Sequence, residues 1–197
     1  MKPYNPDEYW RDRYLSNGRS YVARNSDPSA SKIQFDRIAP LIRKIPEVDR
    51  LLDFGSGPGR FQGVLGERAK EIEAIDLVPD ALDDLRKAYP ATKTSVFELP
   101  LPYGPESFGA VWACTVLQHV VDEKIFGAIC REIGRILVPG GSFFVVDDTR
   151  ARNFHVVARN PIKIGLAMKV ANCKVAGMEF VDIDSPASHY FCEIRKV

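Results

Sequence analysis

An excess of charge of one sign is the first thing this chain lacks. Its 197 residues carry 27 Lys plus Arg against 26 Asp plus Glu, a formal net charge of +1. No global electrostatic drive therefore pulls it toward nucleic acid or an anionic membrane surface. Long apolar runs are missing too. None approaches the roughly 18 residues that a membrane span needs. The opening MKPYNPDEYWRDRYL bears charges where a secretory leader would have its apolar stretch. The expectation is a cytoplasmic protein with no membrane and no nucleic-acid partner. Cysteine is sparse: Cys114, Cys130, Cys173 and Cys192 stand far apart, without a C-x-x-C pair. Reduced, mostly buried thiols are expected, not a disulfide framework or a zinc site. There is no H-x-x-x-H pair or Cys/His cluster, so no metal is expected either. Internal repeats and low-complexity tracts are also absent.

What the chain does have is material for a core. Hydrophobic residues make up 45% and aromatics 10%, which excludes intrinsic disorder. The length suits one domain over 1–197, with 1–45 as an N-terminal cover and helix and 50–197 as a ligand-binding core. The balanced charge is unevenly spread. Residues 1–50 hold 10 basic and 7 acidic side chains, 51–148 hold 9 and 15, and 149–197 hold 8 and 4.

Residues 31–45, SKIQFDRIAPLIRKI, show helical spacing with Pro40 as a kink or a helix start. From Arg50 strand and helix alternate. RLLDFG reads as a buried strand and GRFQGVLGERAKEI as a helix. EAIDL is a second strand, and PDALDDLRKAY a helix with Pro79 in its first turn. TSVFEL and FGAVWACTVL give strands three and four. VDEKIFGAICREIGRIL is an amphipathic helix stopped by Pro139-Gly140-Gly141, and SFFVVDD is the fifth strand. A helix over about 161–171 follows. EFVDID and HYFCEIRKV close the chain, joined too briefly around Ser185-Pro186 for a parallel crossover. The pattern describes a doubly wound, mostly parallel α/β sheet with an antiparallel last strand.

The strongest motif is Leu51-Leu52-Asp53-Phe54-Gly55-Ser56-Gly57-Pro58-Gly59-Arg60. A buried strand ends in alternate glycines and runs straight into a helix, at the edge where open α/β sheets bind ligands. About twenty residues on, Ala74-Ile75-Asp76-Leu77 ends the second strand in a carboxylate that suits the two hydroxyls of a ribose. The dinucleotide fingerprint G-x-G-x-x-G/A fails, because Arg60 or Gln62 occupies its last position.

The turn instead resembles motif I, D-x-G-x-G-x-G, of the class I S-adenosylmethionine-dependent methyltransferases. LPLPYGPESFGAVWACTVLQHV and ILVPGGSFFVV are similar to two further segments of that family. The pattern is nearest to the ubiquinone-biosynthesis-like, type 11 subgroup of small-molecule enzymes. The resemblance implies a Rossmann-like seven-stranded sheet of order 3-2-1-4-5-7-6. It implies S-adenosyl-L-methionine as cofactor, S-adenosyl-L-homocysteine as product, and methyl transfer by in-line displacement. Asp53, Gly55, Ser56 and Gly57 would surround the methionine portion, Asp76 the ribose and Leu77 one adenine face. Val96 and Phe97 would flank the other face, and the Cys114 carbonyl would meet the methionine amino group. Ser95 replaces the family's frequent Asp near strand three, Gly109 replaces the Asp of F-D-x-V, and the proline loop is two residues longer.

Several residues have two readings. His119 is either a general base or a satisfied ring at a helix start. Tyr9, Trp10 and Tyr14 either cover the pocket or dock an amphipathic helix. Arg150, Arg152 and Arg159 form either a solvated loop face or contacts to an anionic acceptor. Asp148, at the end of strand five, borders the acceptor pocket, but strand four ends in Ala113-Cys114 with no carboxylate to complete a hard-cation site. Cys114 itself reads as a small buried side chain. The nucleic-acid enzymes' Asn/Asp-Pro-Pro-Tyr/Phe motif and Pro-Cys nucleophile are both missing. A small-molecule acceptor is therefore expected, handled by a monomer or homodimer. The alternatives are a noncatalytic cofactor-binding module, a partner-dependent subunit, or a protein methyltransferase.

Overall fold

A computed structural model of the chain describes residues 4–18, 28–150, 154–185 and 188–197. Helix α1 (Pro6–Asn17) begins at Asn5, whose side chain accepts from the amides of Asp7 and Glu8. Helix α2 (Pro28–Ile42) carries Pro40 inside its last turn and continues through it. The alternating units follow: β1 (Val48–Phe54), α3 (Gln62–Leu65), β2 (Ala69–Asp76), α4 (Pro79–Ala88), β3 (Lys93–Val96), β4 (Phe108–Cys114), α5 (Glu123–Ile136) and β5 (Leu137–Asp148). Helix α6 (Pro161–Met168), β6 (Cys173–Val181) and β7 (His189–Lys196) complete the chain. The seven strands lie in the order β3-β2-β1-β4-β5-β7-β6. All neighbours from β3 to β5 are parallel, and β7 runs antiparallel to both β5 and β6.

Period-2 alternation gives the sheet two apolar faces. Leu52, Val111, Phe143, Val145 and Ile194 face α5 and α6, while Leu51, Trp112, Phe144 and Val146 face α2 and α3. Helix α5 shows why this packs. Phe126, Ile129, Cys130, Ile133 and Ile136 recur every three or four residues and are all buried. Asp122 caps the helix by accepting from the amides of Lys124 and Ile125 at 2.7 and 3.0 Å.

Three elements differ from expectation. The helix expected over 59–72 is a single turn, and residues 69–72 already belong to β2. Gly63 and Gly66 weaken helix propagation there, and β1 begins early enough for Val48 to pair with Ala69. Pro139-Gly140-Gly141 ends α5 but is absorbed into β5 as an irregularity: Phe108 pairs with Leu137, and Ala110 with Ser142. Strand β6 starts six residues before the expected Glu179, at Cys173. Gly109, at the position of the family's Asp, has a packing reason. A Cβ there would lie 2.9 Å from the Val48 side chain. Among the described residues no helix is long and apolar enough to cross a membrane.

Candidate active site

The site is built at the carboxyl ends of β1, β2 and β4. Gly55, Gly57 and Gly59 all have positive φ, at 76°, 52° and 83°, which residues bearing a Cβ rarely adopt. A Cβ on Gly55 would fall 2.4 Å from Val116, so the turn also relies on close approach to the segment after β4. The backbone is pinned to β2, with Gly55 donating to the Ile75 carbonyl at 2.8 Å. Asp76 fixes the rest: one carboxylate oxygen accepts from the Gly57 amide at 2.7 Å and the other from the Val78 amide at 2.9 Å. Burial pushes its pKa up, opposed by those amides. A carboxylate has about four acceptor sites, so one remains beyond the Gly57, Val78 and Leu77 amides for a ligand hydroxyl.

Asp53 lies beside it, 3% exposed, accepting from the Gln62 side-chain amide at 2.7 Å. Burial pushes its pKa up to about 7; the Gln62 bond opposes this, and the Asp76 charge adds to it. Ser56 is buried in the same turn. On the far side of β2, Phe97 donates its amide to the Asp76 carbonyl at 2.8 Å and packs edge-on against Phe54. Leu77 is half-buried against the α1–α4 contact, and Val96 is 50% exposed. At the end of β4 the Cys114 carbonyl accepts the Thr115 hydroxyl at 2.7 Å, and burial pushes the Cys114 thiol up to about 12. A thiol held protonated in this way is a poor nucleophile. Thr115 has φ +57°, a costly conformation for a β-branched residue, and sequence reading missed it.

Beyond Thr115 a 3-10 turn, Leu117–His119, carries the acceptor side. Gln118 is buried and its orientation is settled by its partners. Its side-chain oxygen accepts from the Asp148 amide at 2.7 Å, so its nitrogen donates to Nε2 of His119 at 3.2 Å. Neutral His119 must then carry its proton on Nδ1, which donates to the His155 carbonyl at 3.1 Å. The His119 and His155 rings stack at 5.4 Å, and Trp10 stands edge-on to His119 at 4.7 Å. The Tyr9 hydroxyl meets Nε2 of His155 at 3.2 Å. His155 Nδ1 is buried without a hydrogen-bond partner, and burial lowers the pKa of the ring.

The structure thus brings Tyr9 and Trp10 together with His119. Tyr14 does another job: its hydroxyl donates to Asp84 at 2.6 Å, and its ring packs on Val78 and Ala81, docking α1 on α4. Asp148 and Arg150 pair with each other, and the Arg150 guanidinium also reaches Ser185 and Asp184. They staple the end of β5 to the turn before β7. Arg159 is not a solvated loop residue, and its guanidinium is engaged within the chain. It is 1% exposed, lies 3.7 Å over the Phe126 ring, and donates to the Leu117 and Val120 carbonyls and to Glu123. The Leu117 carbonyl also accepts the Val120 amide within the 3-10 turn, whereas the Val120 carbonyl lies past its end, where the guanidinium supplies a donor. Arg152 lies outside the described residues. Among the described residues no group of three His, Cys, Asp or Glu could hold a metal ion.

The turn fits the cofactor that the motif implies. Backbone stripped of Cβ atoms lies beside two buried carboxylates, a donor set suited to a ribose diol and to a ligand carrying ammonium and sulfonium charges.

A methyltransferase domain family model of type 11 matches residues 52–145. An uncharacterized methyltransferase of Mycobacterium tuberculosis is 33% identical over 146 residues, covering 71% of this chain and 55% of the relative. The demethylmenaquinone methyltransferase of Deinococcus radiodurans is 34% identical over 105 residues, covering 50% and 42%. The chain thus spans about half the length of these curated relatives. Among solved structures, the N-methyltransferase NodS of Bradyrhizobium japonicum in complex with S-adenosyl-L-homocysteine superposes with TM-score 0.72. That match covers 98% of this chain and 99% of NodS at 15% identity, a likeness of fold.

Proposed function

The chain belongs to the type 11 subgroup of the class I S-adenosylmethionine-dependent methyltransferases, and on that premise we propose that it methylates a small-molecule acceptor by in-line displacement. The observation that carries the acceptor class is the aromatic cover. Helix α1 lies over the ligand edge of the sheet, with Trp10 against His119 and Tyr9 against His155. A cover of that kind suits an enclosed acceptor and excludes water.

When bound, S-adenosylmethionine supplies a methyl group already activated on sulfur. The chain's own residues have the remaining tasks. Asp76 holds the glycine turn in shape and offers its remaining acceptor site to the ribose. Asp53, when ionised, balances the cofactor's positive charge. Trp10 and His119 wall the acceptor so that its nucleophilic atom meets the methyl group at about 3–3.5 Å and in line. Gln118 engages the basic nitrogen of His119, so His119 acts here as a positioning residue.

Titration calorimetry with S-adenosylhomocysteine tests the cofactor. A labelled-methyl assay on size-fractionated metabolite and macromolecule pools tests the acceptor. Absence of binding refutes the family activity for this chain. Label confined to macromolecules refutes the small-molecule acceptor and favours a protein substrate.

A further inference from the structure

Strand β6 ends the sheet, and seven of its nine residues are exposed. A bare strand edge is a template for another strand, and folds that must stay single block it with prolines, bulges or several charges. This edge has no proline, two charges, Lys174 and Glu179, and one irregularity, at Ala176. Its core-side face carries Val175, Met178 and Phe180, the last 62% exposed. That apolar strip continues onto Ile162 and Leu166 of α6, exposed by 63% and 64%. Between α6 and β6 lies an apolar cavity of about 710 Å³, lined by Pro161, Ile162, Leu166, Cys173, Val175 and Met178.

We propose that β6 pairs antiparallel with β6 of a second copy of this chain, about a twofold axis at Gly177, joining the two sheets edge to edge. The argument is the register. Lys174 would oppose the partner's Glu179, Val175 the partner's Met178, and Cys173 the partner's Phe180, each contact made twice. Residues directly opposite in an antiparallel pair must share a face. In an unbroken strand the odd spacing from Val175 to Met178 would place these two on opposite faces. The irregularity between Val175 and Gly177 takes up Ala176 and restores the match. Opposite β7, Val175, Met178 and Phe180 stand across from Ile194, Cys192 and Tyr190 on one face. Lys174 and Glu179 stand across from Arg195 and Phe191 on the other.

The charges agree with this pairing. Lys174 has no ion-pair partner among the described residues. Glu179 meets Lys44 through one carboxylate oxygen and keeps the other for the partner's Lys174. The cavity agrees too, because pairing opposite Cys173 delivers the partner's Phe180 to its mouth. Gly177 faces its own counterpart, with no side chain to clear.

Sedimentation velocity on the 197-residue chain from 1 to 100 µM tests this, with hydrogen exchange of the β6 amides alongside. A dimer whose β6 amides gain protection with concentration is expected. Lys174→Glu sets like charges opposite each other twice and should raise the dimer Kd by about tenfold or more. Phe180→Ser should weaken the dimer as well. Lys174→Glu combined with Glu179→Lys exchanges the signs and should recover most of the loss, since Lys44 is half exposed and relaxes into solvent. Unchanged thermal midpoints and S-adenosylhomocysteine affinity in the variants establish that they fold. A chain that stays monomeric at 100 µM overturns the proposal. So does a dimer that leaves the β6 amides unprotected, or one insensitive to Lys174→Glu.

Discussion

Asp53→Asn should make the apoprotein more stable and a poorer cofactor binder at once. The Asp53 carboxyl is buried, and burial pushes its pKa from 3.8 up to about 7. The folded chain therefore keeps the proton over a range in which the unfolded chain has released it. Stability must fall as pH rises from about 4 to about 7, and level off above that. A tenfold weaker acid corresponds to about 1.4 kcal/mol, so the ionised carboxylate costs the apoprotein on the order of 4 kcal/mol at pH 8. Asparagine carries no such cost, and its oxygen still accepts from Gln62. The variant should match the parent near pH 4 and exceed it at pH 8. For a chain of this size the gain corresponds to a midpoint higher by roughly 8–16 °C. A cationic cofactor selects the ionised form, so parental affinity should drop about tenfold from the plateau above pH 7 to pH 6. The variant's affinity should be weaker and flat over that range. Calorimetry between pH 5.5 and 7.5 reads this cleanly, below the usual α-amino pKa of about 7.7–8.0. A variant no more stable than the parent at pH 8, or parental affinity that ignores pH, refutes the reasoning.

Asp76→Ala leaves the Gly57 and Val78 amides without their acceptor. It should weaken S-adenosylhomocysteine binding by about 1.5–3 kcal/mol and lower the midpoint of the apoprotein; an unchanged dissociation constant contradicts the ribose assignment. His119→Ala removes the wall between Trp10 and His155. It should lower turnover roughly 10²-fold while leaving cofactor affinity within about twofold, and unchanged turnover rejects the positioning role. Arg159→Ala removes the guanidinium donor of the Val120 carbonyl and a second donor of the Leu117 carbonyl, and leaves a void over Phe126. A loss of about 2–4 kcal/mol is expected, read as a midpoint lower by roughly 5–15 °C. A surface-like effect within about 0.5 kcal/mol would show that those carbonyls find other donors.

The glycine turn, Asp53, Asp76 and the succession of strands and helices along the chain were legible in the sequence. They rest on local rules: the period of apolar residues, the φ values that alternate glycines permit, and a carboxylate at a strand end. The resemblance to motif I rests on the same residues, and the sheet order follows from that family. The acceptor side was not legible. His119 was singled out, but its tautomer depends on Gln118, Asp148 and His155, which meet only because β5 and the segment before α6 fold against the turn after β4. Arg159 reads as a loop cation until those elements bury it over Phe126. Thr115 carries its strain in a dihedral angle that no composition signals. The spacing of Lys174 and Glu179 was always present in the chain, yet it acquires meaning only once β6 is the free edge and Ala176 is taken up in the irregularity. Local propensity and pattern decide which elements form. Which side chains share a pocket or an edge is decided by packing between segments far apart in sequence, where every contact depends on all the others being made.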